Sequence, residues 1–194
     1  KIRDLIPKVN QSPNYETVHI YKKINAVLNS IDRLEVRGRD SAGISLMFVL
    51  NKAEYDKFEK SVKQANVYHQ IDERCTRGVL GHRGITVHHS RKAGKSEKIA
   101  VAIVYKVANE IGSLGDNIQF LRRQIADDTI LQILATCKTE FDTVSAHTRW
   151  ASVGAITEAN CHPVDNQTVE NEAENNPIIH ACLNGDIDNY QDLK

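Results

Sequence analysis

The sequence predicts an α+β domain, or a layered α/β domain, in which amphipathic helices alternate with short apolar strands. The chain has 194 residues, which is enough to bury one good core. Its 41 % hydrophobic content is ordinary for a globular domain. Strong strand–helix–strand units are few, so the alternation does not favour a purely parallel sheet.

The first half of the chain carries one clear helix and one clear strand. Residues 15–34 place apolar side chains at three- and four-residue spacing, which predicts an amphipathic helix. Residues 44–50, ISLMFVL, form a short apolar run that predicts a strand buried on at least one face. Residues 52–73 are rich in Lys and Glu and predict an exposed helix, and residues 75–98 mix glycines with histidines and predict a loop and hairpin.

The second half repeats these patterns. Residues 99–107, IAVAIVYKV, are rich in Val and Ile and predict a strand. Residues 114–137 show helical spacing, with Asp116 near the start as a cap. Residues 143–151 and 177–185 are two further strand candidates.

Charge and cysteine content exclude several classes of protein. Lys plus Arg and Asp plus Glu both number 25, so a nucleic-acid or membrane-surface protein is not expected. No apolar run approaches the ~20 residues of a transmembrane helix, and no secretory signal opens the chain. The four cysteines lack CxxC spacing and predict reduced thiols in a cytoplasmic protein, with a zinc site as the less favoured alternative.

Both ends of the sequence predict a piece of a longer protein. The first residue is Lys1 rather than Met, and the last residues, GDIDNYQDLK, resemble the start of a helix. We therefore expect a domain that is incomplete at both ends.

Three motifs stand out in the sequence: EVRGRDSAG at 35–43, SAHTRWASVG at 145–154 with NCHP at 160–163, and LNGDIDNY at 183–190. Each has an ordinary structural interpretation when taken alone. The first fits a helix exit with charges in solvent, the second a stacked Arg–Trp pair at a strand end, and the third a tight Asn-Gly turn.

Together and in this order, the motifs resemble the class II, N-terminal-nucleophile glutaminase domain of glucosamine-6-phosphate synthase. Members of that family typically read LEYRGYDSAG, then GHTRWATHG with a downstream NAHP, then HNGIIENY. This chain reads LEVRGRDSAG, AHTRWASVG with NCHP, and LNGDIDNY. The resemblance implies a four-layer αββα sandwich of the Ntn-hydrolase type and one partial glutaminase domain over residues 1–194.

The resemblance also assigns catalytic roles. Hydrolysis of the glutamine side-chain amide is acyl transfer, which needs a nucleophile, donors for the tetrahedral oxyanion and a clamp on the amino-acid end of the substrate. Asn184 and Gly185 match the oxyanion-hole pair, and Arg37 matches the family arginine near the nucleophile. Arg149 matches the bidentate clamp on the substrate α-carboxylate.

Three further residues match substrate-binding positions. Trp150 is expected to pack near the pocket, and Ser152 stands where the family has a threonine that touches the substrate. His162 matches a family histidine near the pocket, although a purely structural role is equally open. The resemblance implies no cofactor and no metal.

The chain departs from the family at several points. The family nucleophile is an N-terminal cysteine, which we expect upstream of Lys1 and outside this chain. Val153 replaces a family histidine, and Cys182, inside the third motif, is expected to be a small buried side chain near the pocket. The long spacing between the first two motifs predicts an insertion within residues 50–98, whose histidines are a less favoured metal site: His82, His88 and His89.

The function implied by the resemblance is glutamine hydrolysis coupled to amino-sugar synthesis. Glutamine would be converted to glutamate, and the ammonia would pass to downstream sugar-isomerase domains, absent here, that make glucosamine-6-phosphate from fructose-6-phosphate. The expected partners are L-glutamine, that sugar phosphate and further copies of the chain in a homo-oligomer. Two alternatives remain open: an inactive glutaminase-like domain that senses glutamine or assists assembly, and a glutaminase that serves another acceptor.

Overall fold

The computed structural model describes residues 2–6, 13–75, 82–90, 96–108, 115–151, 154–166, 177–185, 187–189 and 191–192, apart from the side chains of Arg3 and Arg37. The helices are α1 (Ile2–Leu5), α2 (Tyr15–Leu34), α3 (Lys52–Gln64), α4 (Tyr68–Arg74), α5 (Asp116–Ala126) and α6 (Thr129–Leu134), with a 3₁₀ turn at Glu35–Arg37. The strands are β1 (Ser41–Asn51), β2 (Ile85–Ser90), β3 (Lys98–Ala108), β4 (Phe141–Arg149), β5 (Val164–Asp165) and β6 (His180–Ala181).

A four-stranded antiparallel sheet organises these elements, in the order β2-β3-β1-β4. Strand β1 pairs with β3 along its whole length and with β4 from Ser41 to Val49, so that Ser41 lies opposite both Ala108 and Arg149. Strands β5 and β6 form a separate two-stranded ribbon. Among the residues described, no helix combines the length and the apolar composition that crossing a membrane requires.

The two faces of β1 differ in chemistry. Alternate side chains of a strand point to opposite faces. One face is apolar and joins the core beneath α2, α3 and α5 through five buried side chains: Ala42, Ile44, Leu46, Phe48 and Leu50. The other face, here called the second face, begins with Ser41, Gly43 and Ser45. The small side chains at its start leave room for other backbone to approach the sheet.

The long elements follow the sequence prediction closely. The predicted helix at residues 15–34 is α2, and Asn14 caps it by accepting a hydrogen bond from the Thr17 N–H at 2.8 Å. The strands predicted at residues 44–50, 99–107 and 143–151 are β1, β3 and β4. Strand β2 pairs with β3, which confirms a hairpin partner within residues 75–98.

Two helices predicted as continuous are each divided in two. Residues 52–73 form α3 and α4, and Asn66 between them has a φ of 56°, a left-handed conformation that interrupts the helix. Residues 114–137 form α5 and α6, because Asp128 adopts an extended conformation and caps α6 with its side chain. The strand predicted at residues 177–185 is short, with only His180–Ala181 in the described ribbon.

The α+β class is therefore confirmed. The described residues form a helical layer on one four-stranded sheet, with the ribbon beside the second face. The segment predicted to be an insertion, residues 50–98, belongs to the same core, since β2 is an edge strand of the sheet and α3 contributes three buried side chains: Tyr55, Phe58 and Val62.

A buried ion pair joins this segment to the helical layer. The Asp128 carboxylate is fully buried and accepts two hydrogen bonds from the Arg74 guanidinium, at 3.0 and 2.6 Å. The Tyr105 hydroxyl donates to the same carboxylate at 2.6 Å. Burial acts to raise the pKa of Asp128, but the hydrogen bonds and charge of Arg74 outweigh it and hold the pKa below its usual value.

We expect Asp128→Asn to lower the free energy of unfolding by about 3–5 kcal/mol, because it leaves the Arg74 guanidinium buried without its counter-charge. Denaturant unfolding followed by circular dichroism measures the change. Asp56→Asn is the matched control, since it removes the carboxylate of an exposed i,i+4 pair with Lys52 and should have little effect. Equal losses in the two variants would contradict a structural role for the buried pair.

Candidate functional site

The first two motifs meet where β1 begins and β4 ends. The Asp40 N–H donates to the Arg149 carbonyl at 3.1 Å, and the Asp40 carboxylate accepts from the Ala151 N–H at 2.6 Å. Antiparallel pairing brings these residues together, because Ser41 lies opposite Arg149. Asp40 therefore fixes the path of the chain on both sides of Trp150.

The segment that leads into the first motif is anchored to helix α5. Glu35 is buried, and its carboxylate accepts a hydrogen bond from the Gly115 N–H at 2.5 Å, at the N-terminus of α5. The Asn117 side-chain amide donates to the Arg39 carbonyl at 2.8 Å. Burial raises the pKa of Glu35, and the helix N–H groups oppose that rise. These contacts hold the turn that carries Arg37, whose backbone is described but whose side chain is not.

The NCHP turn lies directly on β1. A Cβ atom at Gly43 would lie 2.2 Å from the His162 carbonyl oxygen, so this approach requires glycine. The Cys161 thiol is buried and donates to the Ala42 carbonyl at 3.2 Å. Burial raises the pKa of this thiol, which fits a structural cysteine.

His162 connects the second motif to the third. Its ring lies 4.8 Å from the His147 ring, centroid to centroid, and its Nδ1 accepts a hydrogen bond from the Leu183 N–H at 3.2 Å. An Nδ1 that accepts must be unprotonated, so the ring is neutral and carries its proton on Nε2. Burial lowers the pKa of His162, and the neighbouring His147 acts in the same direction.

Asn184 and Gly185 follow Leu183 immediately. Both are exposed, and Gly185 has a φ of 140°, which favours glycine. The predicted oxyanion pair therefore begins one residue after Leu183, whose N–H binds His162 of the second motif. Cys182, which we expected to be buried, is exposed, because the chain leaves the ribbon at Ala181.

Arg149 ends β4 on the second face, and Trp150 follows it. The Arg149 guanidinium donates to the Ala155 carbonyl at 3.3 Å, and one of its nitrogens would lie 3.5 Å from a Cβ at Gly154. The Trp150 side chain is 71 % exposed. Ser152 lies outside the described residues, as does Val153.

A buried polar cluster next to these motifs was not predicted. Lys106 is fully buried on the second face, and its ammonium donates to the Glu158 carbonyl at 3.3 Å. The Ser45 hydroxyl and Nδ1 of His180 lie 2.5 Å apart. Burial lowers the pKa of Lys106. Burial also lowers the pKa of His180, to about 4, and the charge of Lys106 adds to this effect.

Two of the three histidines considered as metal ligands have other partners. Nδ1 of His82 accepts from the Lys106 N–H at 3.1 Å, and its Nε2 lies 3.2 Å from the Gln124 side-chain oxygen. Nδ1 of His89 lies 3.1 Å from the Glu97 carboxylate. Within the described ranges, no three His, Cys, Asp or Glu side chains form a group that could hold a metal ion.

Comparison with known proteins identifies no family for this chain. No protein-family model matches the chain, and no curated protein matches it. One solved structure, a dimeric ferredoxin-like protein from an uncultured marine organism, has 17 % sequence identity and a TM-score of 0.27. The match covers 58 % of this chain and 97 % of that chain, and at this TM-score it supports no conclusion about fold or function.

We expect Gly43→Ala to lower the free energy of unfolding by about 1–3 kcal/mol, because the added methyl group must displace the His162 carbonyl. Denaturant unfolding and amide chemical shifts of the NCHP turn measure the effect. Thr143→Ala, at an exposed position on the same face, is the control. An unshifted turn with wild-type stability would show that the close approach does not determine its position.

We expect the free energy of unfolding to fall as pH is lowered from about 6.5 toward 4, partly through His180. A histidine whose pKa is lowered by folding stabilises the protein fully above its ordinary pKa of 6.5 and loses that contribution as the pH falls toward the folded-state value. In His180→Asn, whose side-chain oxygen can still bond to Ser45, this part of the pH dependence should disappear. Identical pH profiles of wild type and variant would refute the assignment.

Proposed function

We propose that this chain is the glutaminase domain of a glucosamine-6-phosphate synthase-like enzyme, which hydrolyses glutamine and supplies ammonia for amino-sugar synthesis in the cytoplasm. One observation carries the proposal: three motifs that are distant in sequence meet at one end of the sheet. Asp40 binds the backbone on both sides of Trp150, and the His162 ring binds the Leu183 N–H. Chance matches to three short motifs have no reason to be joined in this way.

The finer fold assignment belongs to the same proposal. In a four-layer αββα sandwich, two sheets face each other and helices cover both outer surfaces. Here the helices lie on one face of the sheet, and the ribbon approaches the other face through the Ser45–His180 contact. We assign the ribbon to the second sheet of such a sandwich.

The proposed chemistry follows from the residue types. An N-terminal cysteine, carried by a segment that precedes Lys1, attacks the side-chain amide carbon of glutamine, and its own α-amine acts as the base. The Asn184 side-chain amide and the Gly185 N–H donate to the oxyanion. The α-amine then returns the thiol proton to the substrate nitrogen, the C–N bond breaks to give a thioester, and ammonia leaves. Water hydrolyses the thioester, which releases glutamate and regenerates the thiol. Arg149 holds the substrate α-carboxylate throughout, and sugar phosphate and other subunits would bind through further domains of the full-length protein.

A second candidate is a glutaminase-like domain that binds glutamine without hydrolysing it. It is favoured by Val153, which replaces the histidine found in the family motif RWATHG. Such a domain would need the Arg149 clamp but would have no use for oxyanion donors. A glutaminase that serves a different acceptor remains a third form of the same proposal.

The full-length gene product decides between these candidates in one mass-spectrometric experiment. The intact mass is measured before and after treatment with a diazoketone analogue of glutamine, with and without excess glutamine. A single adduct that maps to an N-terminal cysteine and is blocked by glutamine supports the glutaminase. A folded protein that binds glutamine but forms no adduct would support the binding module.

In the active enzyme, we expect Arg149→Ala to raise the KM for glutamine strongly and Asn184→Ala to lower kcat about 10²–10³-fold. The first change removes binding of the α-carboxylate, and the second removes a donor that acts in the transition state. Steady-state glutaminase assays give both constants. Arg123→Ala, an exposed arginine of α5, is the control for loss of a positive charge. An unchanged KM in Arg149→Ala would exclude the clamp.

A further inference from the structure

The predicted oxyanion turn, residues 183–185, is joined to the rest of the site through the backbone of Leu183, which interacts with both His147 and His162. Leu183, Asn184 and Gly185 are all exposed, and no atom of the described residues lies within 4 Å of a Cβ atom placed at Gly185. The hydrogen bond from the Leu183 N–H to the His162 ring joins this turn to the second motif. The backbone just before the two proposed donors is therefore held by an imidazole.

The His162 ring is itself held from two sides. Its backbone carbonyl rests on Gly43, and its side chain packs on the His147 ring at 4.8 Å. His147 belongs to β4, which is paired with the central strand β1. These two contacts fix the position of the ring relative to the sheet. The hydrogen bond from the Leu183 N–H to the ring then fixes the position of the turn.

We infer that His162, packed on His147, is the positioning residue that fixes the turn carrying Asn184 and Gly185. The inference deepens the proposed function and rests on it, because the turn matters for catalysis only if the chain hydrolyses glutamine. An oxyanion hole acts through donors that are already in place when charge develops. A turn that moves by about 1 Å loses much of that advantage.

The contact depends on the neutral form of the ring. Protonation at Nδ1 converts the acceptor into a donor, which cannot accept the Leu183 N–H. Burial lowers the pKa of His162, and the charged and titratable groups that act on it, His147 and Arg149 from β4 and Lys106 from β3, lower it further. A backbone interaction with Leu183 acts in the opposite direction but does not outweigh them. The turn should therefore stay fixed at neutral pH and be released only on acidification below pH 6.5, the ordinary histidine value.

Amide hydrogen exchange on this chain tests the inference without any assay of activity. In His162→Leu, exchange at Leu183 should be about tenfold faster than in wild type, the factor expected for loss of one hydrogen bond. In His162→Asn, whose side-chain oxygen can replace Nδ1, exchange should return toward the wild-type rate. His69→Leu, an exposed histidine of α4, is the control. Unchanged exchange at Leu183 in His162→Leu, or equal exchange in the Leu and Asn variants, would overturn the inference.

If His162→Leu does not fold, the wild-type protein provides the same test through pH. Protection of the Leu183 amide, corrected for intrinsic exchange, should fall as the pH drops below 6.5, whereas amides in the centre of β1 keep their protection. Protection at Leu183 that follows β1 at every pH would overturn the inference.

Kinetics on the full-length protein then separate this inference from the proposed function. His162→Leu should lower kcat for glutamine and leave KM nearly unchanged, and His162→Asn should restore most of kcat. A wild-type protein that hydrolyses no glutamine would refute the proposed function, whatever the exchange data show. An active wild type whose kcat is unaffected by His162→Leu would refute the positioning role alone.

Discussion

The alternation of side chains along β1 is the constraint on which the rest of the structure depends. One set of alternate residues is apolar, and it carries the helical layer; the other set begins with Ser41, Gly43 and Ser45, which leave space above the sheet. The NCHP turn occupies that space so closely that its carbonyl lies where a side chain of residue 43 would begin. One face of β1 therefore packs in the core, and the other face contacts the residues of the candidate site.

The site differs from the core in the kind of interaction that holds it. The core is a continuous apolar cluster, in which the burial of each Leu or Ile contributes about 1.5–3 kcal/mol and no single contact determines the arrangement. The site is held by individual hydrogen bonds, notably those of Asp40 and His162, and by the buried Lys106. Such bonds contribute about 1 kcal/mol each, so they fix geometry more than they add stability.

The sequence predicted the elements whose pattern is long and regular. Helix α2 and strands β1, β3 and β4 were found because a continuous apolar period identifies them. The breaks at Asn66 and Asp128 were missed because each depends on one residue's conformation or partners. The two-residue strand β5 was missed because so short a segment has no detectable periodicity. In the candidate site, the motifs nominated Asn184 and Arg149, whose roles stay predictions, whereas the placement of Lys106 and His180 depends on strand register. The alternation of β3, with Lys106 between the inward-facing Tyr105 and Val107, is the signal that would have placed that lysine on the second face.

The electrostatics of the second face bear on what the site can bind. Three histidines there, His147, His162 and His180, have pKa values lowered by burial, so they are neutral near pH 7. Neutral rings can pack on one another and accept hydrogen bonds from backbone N–H groups, which charged rings cannot do. The positive charges that act on these rings are those of Arg149 at the end of β4, the residue proposed to bind the substrate carboxylate, and of the buried Lys106. A bidentate clamp selects a carboxylate best when neighbouring groups do not also carry positive charge, because a diffuse positive region would attract any anion. Under the proposed function, burial of the histidines would serve the position of the turn and would add no further positive charge beside the clamp.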